Sequence, residues 1–334
     1  MKKNILLLFA ALLPLVASAE KVEIDGIWYN LVSKVKQAEV TYKGNDPYQG
    51  GWYSGSITLS TTITYDGVQY SVTSIGSDAF SHCSSLTAIT IPESVTSIGE
   101  YAFVGCSSLT DINIPESSQL TSIGEDAFFR CSSLTAITIP ESVTSIGEWA
   151  FVGCSSLTAI NIPEGVTSIG SYVFSGCSSL TTIVLPKNLK YIDYGAFANC
   201  SELLDVYCYA EEVPSTEADA FDSSYPKYVT LHVPANALNA YKSTEPWSNF
   251  GKIVPLTEEE AAISNTRANR IKVQGHHGTL RITGATEGEA ISVYTTSGTL
   301  VAGETAQDDE TELTLPEDQV YIVAVGDKVV KIGM

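Results

Sequence analysis

Seven cysteines, four histidines and two regularly spaced sets of glutamates are the residues of this chain whose types and spacing could do chemistry. Cys83, Cys106, Cys131, Cys154, Cys177 and Cys200 each follow a phenylalanine by three residues, and Cys208 stands outside that set. In an exported chain such a series reads first as a disulfide framework. Residues at one position of a repeat, however, lie side by side when repeats stack. Their side chains then run parallel instead of facing each other, and the total is odd. Free, buried thiols acting as small apolar fillers are therefore expected. The histidines are His82, His232, His276 and His277. Neighbours on a strand point to opposite faces, and no cysteine or carboxylate stands at zinc-like spacing from any histidine. No metal and no other cofactor is assigned. There is no Gly-x-Ser-x-Gly elbow, no His-Glu-x-x-His helix and no Gly-rich phosphate loop. Hence no catalytic residue is assigned, and a non-enzymatic function is expected.

Glu93, Glu116, Glu141 and Glu164 each follow a proline, and Glu100, Glu125 and Glu148 hold a second common position. Stacked about 5 Å apart, either column could be bridged by a divalent cation. The reading favoured here is a solvated acidic edge that discourages end-to-end aggregation. Binding side chains are easier to nominate. Two residues before each phenylalanine stand Asp78, Tyr101, Asp126, Trp149, Tyr172 and Gly195. Tyr101, Trp149 and Tyr172 form a candidate contact patch, since Tyr and Trp dominate binding hot spots. A second candidate is the outward strand position, Thr90, Asn113, Thr138, Asn161, Val184 and Tyr207, of which Asn113, Asn161 and Tyr207 are the residues singled out. That small, polar face, with Asp111 and Asp205 beside it, would accept an extended polypeptide or glycan. The Gly-rich loop Tyr42–Tyr53, with Tyr48 and Trp52, is a third.

What positions all of these is a repeat. The string Ala-Phe-x-x-Cys-Ser-x-Leu returns with phenylalanines at Phe80, Phe103, Phe128, Phe151, Phe174 and Phe197 and an echo at Phe221, at intervals of 23 to 25 residues. A period in this range predicts a solenoid whose coils bury their apolar sides only against their neighbours. In the coil beginning at Leu157, Leu157, Ile160 and Ile162 have strand spacing with alternate side chains inward. Pro163 ends the pairing because it has no N–H to donate. Val166 and Ile169 form a second inward pair, Gly170 turns the chain, and Tyr172-Val173-Phe174 leads through a single helical or 3-10 turn to Cys177. Ser117-Ser118-Gln119-Leu120 carries two extra residues, predicted to bulge at the surface.

The text I-P-x-x-V-T-S-I-G-x-x-A-F-x-x-C-x-x-L stands nearly letter for letter at Ile91–Leu109 and Ile139–Leu157 and, with Val173 for Ala, at Ile162–Leu180. It resembles the BspA-like subclass of bacterial leucine-rich repeats, over about residues 72 to 257. The resemblance implies a surface or secreted protein associated with adhesion to host matrix proteins and other cells. The expected fold is mainly β with short helical or 3-10 turns: a leucine-rich-repeat solenoid with an N-terminal β cap and a small C-terminal β-sandwich. The cap is read at 20–72, with strands at Ile24–Val32, Glu39–Tyr42, Ile57–Leu59 and Ile63–Val72. The solenoid with its C-terminal cap is read at 73–257, a polar linker at 258–269 and the small β domain at 270–334. Val293-Tyr294, Ser297-Gly298, Leu315-Pro316 and Val320–Val323 make this tail similar to the sorting domains of the type IX secretion pathway of Bacteroidetes. A plain structural domain is the alternative.

Residues 1–19 have the parts of an export signal: Lys2 and Lys3, an apolar run from Ile5 to Val16, and the small-residue site Ala17-Ser18-Ala19. No stretch predicts a membrane span. With 38 Asp and Glu against 18 Lys and Arg, the chain repels phosphate backbones and anionic lipid heads, which excludes nucleic acid as a partner. The reading is an exported, monomeric binding protein at the cell surface or outside the cell, an adhesin contacting host extracellular protein or glycan, or another cell-surface protein, through its repeats. The alternative is a structural scaffold of the cell envelope.

Overall fold

The computed structural model describes residues 20–44, 52–115 and 117–257 and, in short stretches, 272–333. The export signal, Tyr48, Glu116, the linker and His277 lie outside the described residues. The chain divides into two units on either side of Pro255.

The first unit is a solenoid. Each full coil carries the Leu-x-x-Ile segment, a two-residue strand that is Ser-Ile in most coils and Tyr191–Ile192 in one, and the Ala-Phe turn. Alternation puts Leu157, Ile160, Ile162, Val166 and Ile169 inside, all at most 2% exposed. Stacking then pairs like with like: Ile160 with Ile183, Ile183 with Val206, Val206 with Leu231, all parallel and in register. The phenylalanines are fully buried and form a spine with successive centroids 5.1–5.4 Å apart and planes within 12°. Burying each ring is worth roughly 1.5–3 kcal/mol, and each ring contact adds about 0.5–1.5 kcal/mol. Tyr53 covers the first ring at 5.0 Å. Trp247 and Phe250 cover the last, edge-on, at 5.7 and 5.2 Å.

The N-terminal cap supplies the first rung of two strand ladders. Gln37–Thr41 pairs in parallel with Val68–Ile75, which pairs with Ser97–Ile98, while Ser54–Thr58 pairs with Ser85–Thr90. The single strand expected over Ile24–Val32 is in fact a hairpin, Glu20–Ile24 against Ile27–Val32. Asp25 and Gly26 turn it with φ of 51° and 81°, as Asp-Gly does in two-residue hairpin loops. At the other end, the helix Leu238–Ser243 and the last strand Lys252–Pro255 close the stack. Tyr241 donates to the Ala210 carbonyl at 2.8 Å and the Trp247 indole to Pro214 at 3.2 Å. The described helical turns are confined to residues 226–249. The Ala-Phe segments expected to be helical are non-helical turns.

Two departures lie in the coil that carries Ser117-Ser118 and in the coil after it, 134–156. The extra residues at Ser117-Ser118 do not simply bulge outward. Ser118 is buried, and its hydroxyl accepts from the Leu120 N–H at 3.1 Å. Downstream, Asp111–Asn113 finds no strand partner in 134–138, and Ser145–Ile146 none in Ser168–Ile169, so both ladders are interrupted at this coil. The Ala-Phe turns run through unbroken: Phe128 N–H donates to Ala150 and Phe151 N–H to Val173, at 2.7 and 2.8 Å. The glycines at the coil corners allow close stacking and do not themselves turn the chain. A Cβ on Gly147 would lie 2.4 Å from the Glu125 nitrogen.

The second unit holds two antiparallel sheets, one of three strands and one of four. Leu280, Ile282, Ile291, Val293, Leu313, Tyr321 and Val323, drawn from both, form one buried cluster.

Candidate binding surface

The Ala-Phe turn is built from two left-handed residues that bracket the buried phenylalanine. The first column, Asp78, Tyr101, Asp126, Trp149, Tyr172 and Gly195, has φ between 53° and 62°. The second, His82, Gly105, Arg130, Gly153, Gly176 and Asn199, has φ between 55° and 72°. Gly, Asn and Asp adopt this region readily, whereas other residues lose roughly 1–2 kcal/mol there. Tyr101, Trp149 and Tyr172 therefore hold bulky rings where the backbone favours Gly or Asp. Tyr101 and Trp149 are 39% and 37% exposed, so burial does not compensate for the strain. Strain retained at an exposed position points to a function for the side chain.

The three are not one cluster. Trp149 and Tyr172 touch, with centroids 4.6 Å apart, while Tyr101 is two coils from Trp149 and hydrogen-bonds Asp126 in the coil between. The column continues where the sequence pattern did not look. Gly195 replaces an aromatic, and a Cβ there would lie 2.5 Å from the Tyr172 ring. The space lets Tyr172 lean against Tyr194, centroids 5.5 Å apart. Tyr194 is 52% exposed, and its backbone N–H donates to the Asp193 carboxylate at 2.7 Å. Its hydroxyl bonds Asp219, whose carboxylate holds the phenol above its ordinary pKa. Tyr194 sits one residue off the repeat position, and the glycine beside it was the available signal.

The strand-face candidates divide. Asn161, Val184, Tyr207 and His232 lie in one row of the five-stranded sheet. Tyr207 stacks on His232 at 4.3 Å, and His232 Nε2 lies 3.0 Å from Asp205 Oδ1. Asn113 belongs to the other sheet, beside Thr90, across the ladder break. In the third candidate, Tyr53 is a buried cap residue whose hydroxyl donates to Thr41 and accepts from Trp28 N–H, both at 3.1 Å. Trp52 alone of its described aromatics is exposed there.

All seven thiols are buried and none is in a disulfide, and at least six do more than fill space: Cys208 lies 3.2 Å from the Tyr241 hydroxyl. Cys106, Cys131, Cys154, Cys177 and Cys200 each point Sγ at the phenylalanine carbonyl of the preceding coil, at 3.1–3.4 Å. Where the repeat decays, Ser224 takes the position and donates to Phe197 at 2.5 Å. Burial pushes the Cys131 and Cys200 thiols up to about 12 and Cys208 up to about 11. Unfolded thiols ionise near about 8.5. The stability these groups contribute is thus complete below that pH and is lost as pH rises toward 12. Denaturation midpoints should fall between pH 8 and 10.5, and less steeply in Cys131→Ser/Cys200→Ser, which keeps the donor. Equal slopes would show that the thiols are not the cause.

The described glutamates of the two columns make one mutual contact. Glu141 accepts from the Glu164 N–H at 3.2 Å, and burial, only partly offset by Lys187, raises the Glu164 carboxyl above its usual range. Among the described residues no three His, Cys, Asp or Glu side chains gather as a metal would require.

A stacked-coil scaffold with variable residues on conserved turns defines a repeat-solenoid class of protein. The sequence profile of the BspA type leucine-rich repeat region matches six copies over residues 58–137 and 117–228, and the chain belongs to that family. It is thus a leucine-rich-repeat protein of the bacterial surface-protein kind, in a family that is generally non-catalytic and whose repeats generally bind proteins. No described helix is long and apolar enough to cross a membrane. Among solved structures, a leucine-rich-repeat protein of T. pallidum is 30% identical, aligned over 56% of this chain and 81% of its own, with a TM-score of 0.48. One from Bacteroides ovatus is 23% identical over 73% and 80%, TM-score 0.42. A leucine-rich cell surface protein from Faecalibacterium prausnitzii is 19% identical over 74% and 97%, TM-score 0.29. No curated protein matches.

Proposed function

We propose that this protein is exported and acts as an adhesin, binding host matrix protein or mucin glycan through the aromatic column Trp149–Tyr172–Tyr194. One observation carries the reading: Trp149 and Tyr172 keep touching rings at left-handed turn positions that the coils on either side fill with Asp126 and Gly195, and Tyr172 leans on the exposed ring of Tyr194. Rings fixed this way lose little freedom on binding, which favours affinity. The experiment is binding of residues 20–334 to immobilised matrix proteins and mucin glycans, with and without calcium. Saturable, calcium-independent binding to one class is expected. Failure of the folded protein across the panel would move the role to an envelope scaffold.

The C-terminal unit serves, in this reading, as a sorting domain. Deleting residues 263–334 should leave the protein in the periplasm when the rest is exported. Unchanged surface display of the truncated chain would reduce the unit to a structural domain.

A further inference from the structure

The other edge of the Ala-Phe turns carries a feature of different chemistry. Arg130 is the only Lys or Arg between Lys43 and Lys187. It stands at a left-handed position, φ 57°, where the coils on either side have Gly105 and Gly153. Its guanidinium lies 5.1 Å from the Phe129 ring centroid, a cation–π contact that holds a planar, forked donor in place. No carboxylate forms an ion pair with it among the described residues. The missing side chain of Gly105 leaves room for the His82 imidazole, whose Nδ1 would be 2.8 Å from a Cβ there. Between His82 and Arg130 opens a pocket lined by Val104, Ser107, Phe129 and Ser132. Arg130 is the permanently charged cation of this pocket.

The chemistry narrows the ligand. One cation in a chain of net charge −20 suits an isolated negative charge and repels a polyanion. A peptide would seek backbone partners, but the N–H groups of this turn are already spent between coils, as in Asp126 to Glu148 and Arg130 to Val152. What remains is a fork for a carboxylate, the Ser107 hydroxyl, the Ser132 hydroxyl, which donates weakly to the Ser107 carbonyl at 3.5 Å and keeps its acceptor capacity, and the half-buried carbons of Val104 and Phe129. We infer that this pocket is a subsite for the carboxylate of a terminal acidic sugar, a uronic or sialic acid. Arg130 anchors the carboxylate, while Ser107 and Ser132 serve the sugar hydroxyls. The subsite does not depend on the aromatic column.

The test is titration of residues 20–334 with methyl glucuronide and N-acetylneuraminic acid, beside methyl glucoside, acetate and an acidic tripeptide. At least one acidic sugar should bind saturably, roughly tenfold or more tighter than methyl glucoside, which lacks the charge-assisted bond, and tighter by the same order than acetate and the tripeptide, which lack the sugar hydroxyls. Arg130→Gly should weaken it by the same order. That variant carries the residue of both flanking coils and relieves a left-handed position, so its melting temperature should not fall. Trp149→Ser/Tyr172→Ser should bind the sugar unchanged, so failure of this site and failure of the adhesin reading are distinguishable. No binding of either sugar, equal binding by Arg130→Gly, or equal binding of acetate or the peptide would overturn the inference.

Discussion

Phe151→Ala is expected to destabilise the solenoid by about 3–5 kcal/mol and to split its unfolding into two transitions. The ring is fully buried, 5.1 Å from Phe128 and 5.3 Å from Phe174, and its loss leaves a cavity between coils that cannot collapse without breaking register. Its place adds the second effect. Both strand ladders are interrupted at this coil, so the spine and the turn hydrogen bonds, with isolated links such as Thr158 N–H to the Thr135 carbonyl, carry the coupling between the two halves. Phe103→Ala removes the same ring where Ser97–Ile98 is paired on both sides. It should cost a similar amount but leave one transition. Calorimetry of the two variants checks this, and a single transition in both would show that the interruption does not divide the unit.

Trp149→Ser with Tyr172→Ser is expected to reduce ligand binding by on the order of 10²-fold or more, from two aromatic hot spots worth about 2 kcal/mol each. Thermal unfolding should hardly change, because Trp149 is 37% exposed and a smaller residue is no worse suited to its left-handed backbone. The companion rings matter as well. Tyr194 leans on Tyr172 from the space above Gly195, so its single replacement should weaken binding less than the pair. A large drop in melting temperature would instead assign the rings to packing.

The solenoid was legible because its core letters recur: each inward Leu, Ile, Val, Phe and Cys faces its own counterpart, so one period specifies all. Differences between coils were harder to read. Asp25-Gly26 lies inside an apolar stretch that reads as one strand, yet it turns a hairpin with positive φ, as Asp66-Gly67 also does. Ser118 was assigned to the surface because an insertion says nothing about which residue tucks in. The cysteines read as fillers in the sequence, since spacing does not reveal a carbonyl within reach. Asn113 and Asn161 share a repeat position yet fall in separate sheets, because residues 134–138 in the coil between them form no strand although their letters match the repeat. Tyr194 and Arg130 were missed for one reason. Each gains meaning from a glycine in an adjacent position or coil, which the period read along one column does not show.

The most direct test of the central claim is a side-by-side binding isotherm of the wild-type chain and Trp149→Ser/Tyr172→Ser on the matrix protein or mucin glycan that the wild type engages, with both proteins shown to be folded. Saturable wild-type binding and its loss in the variant at unchanged melting temperature is the predicted result. Equal binding by the two folded proteins would contradict the account and move the contact off the aromatic column.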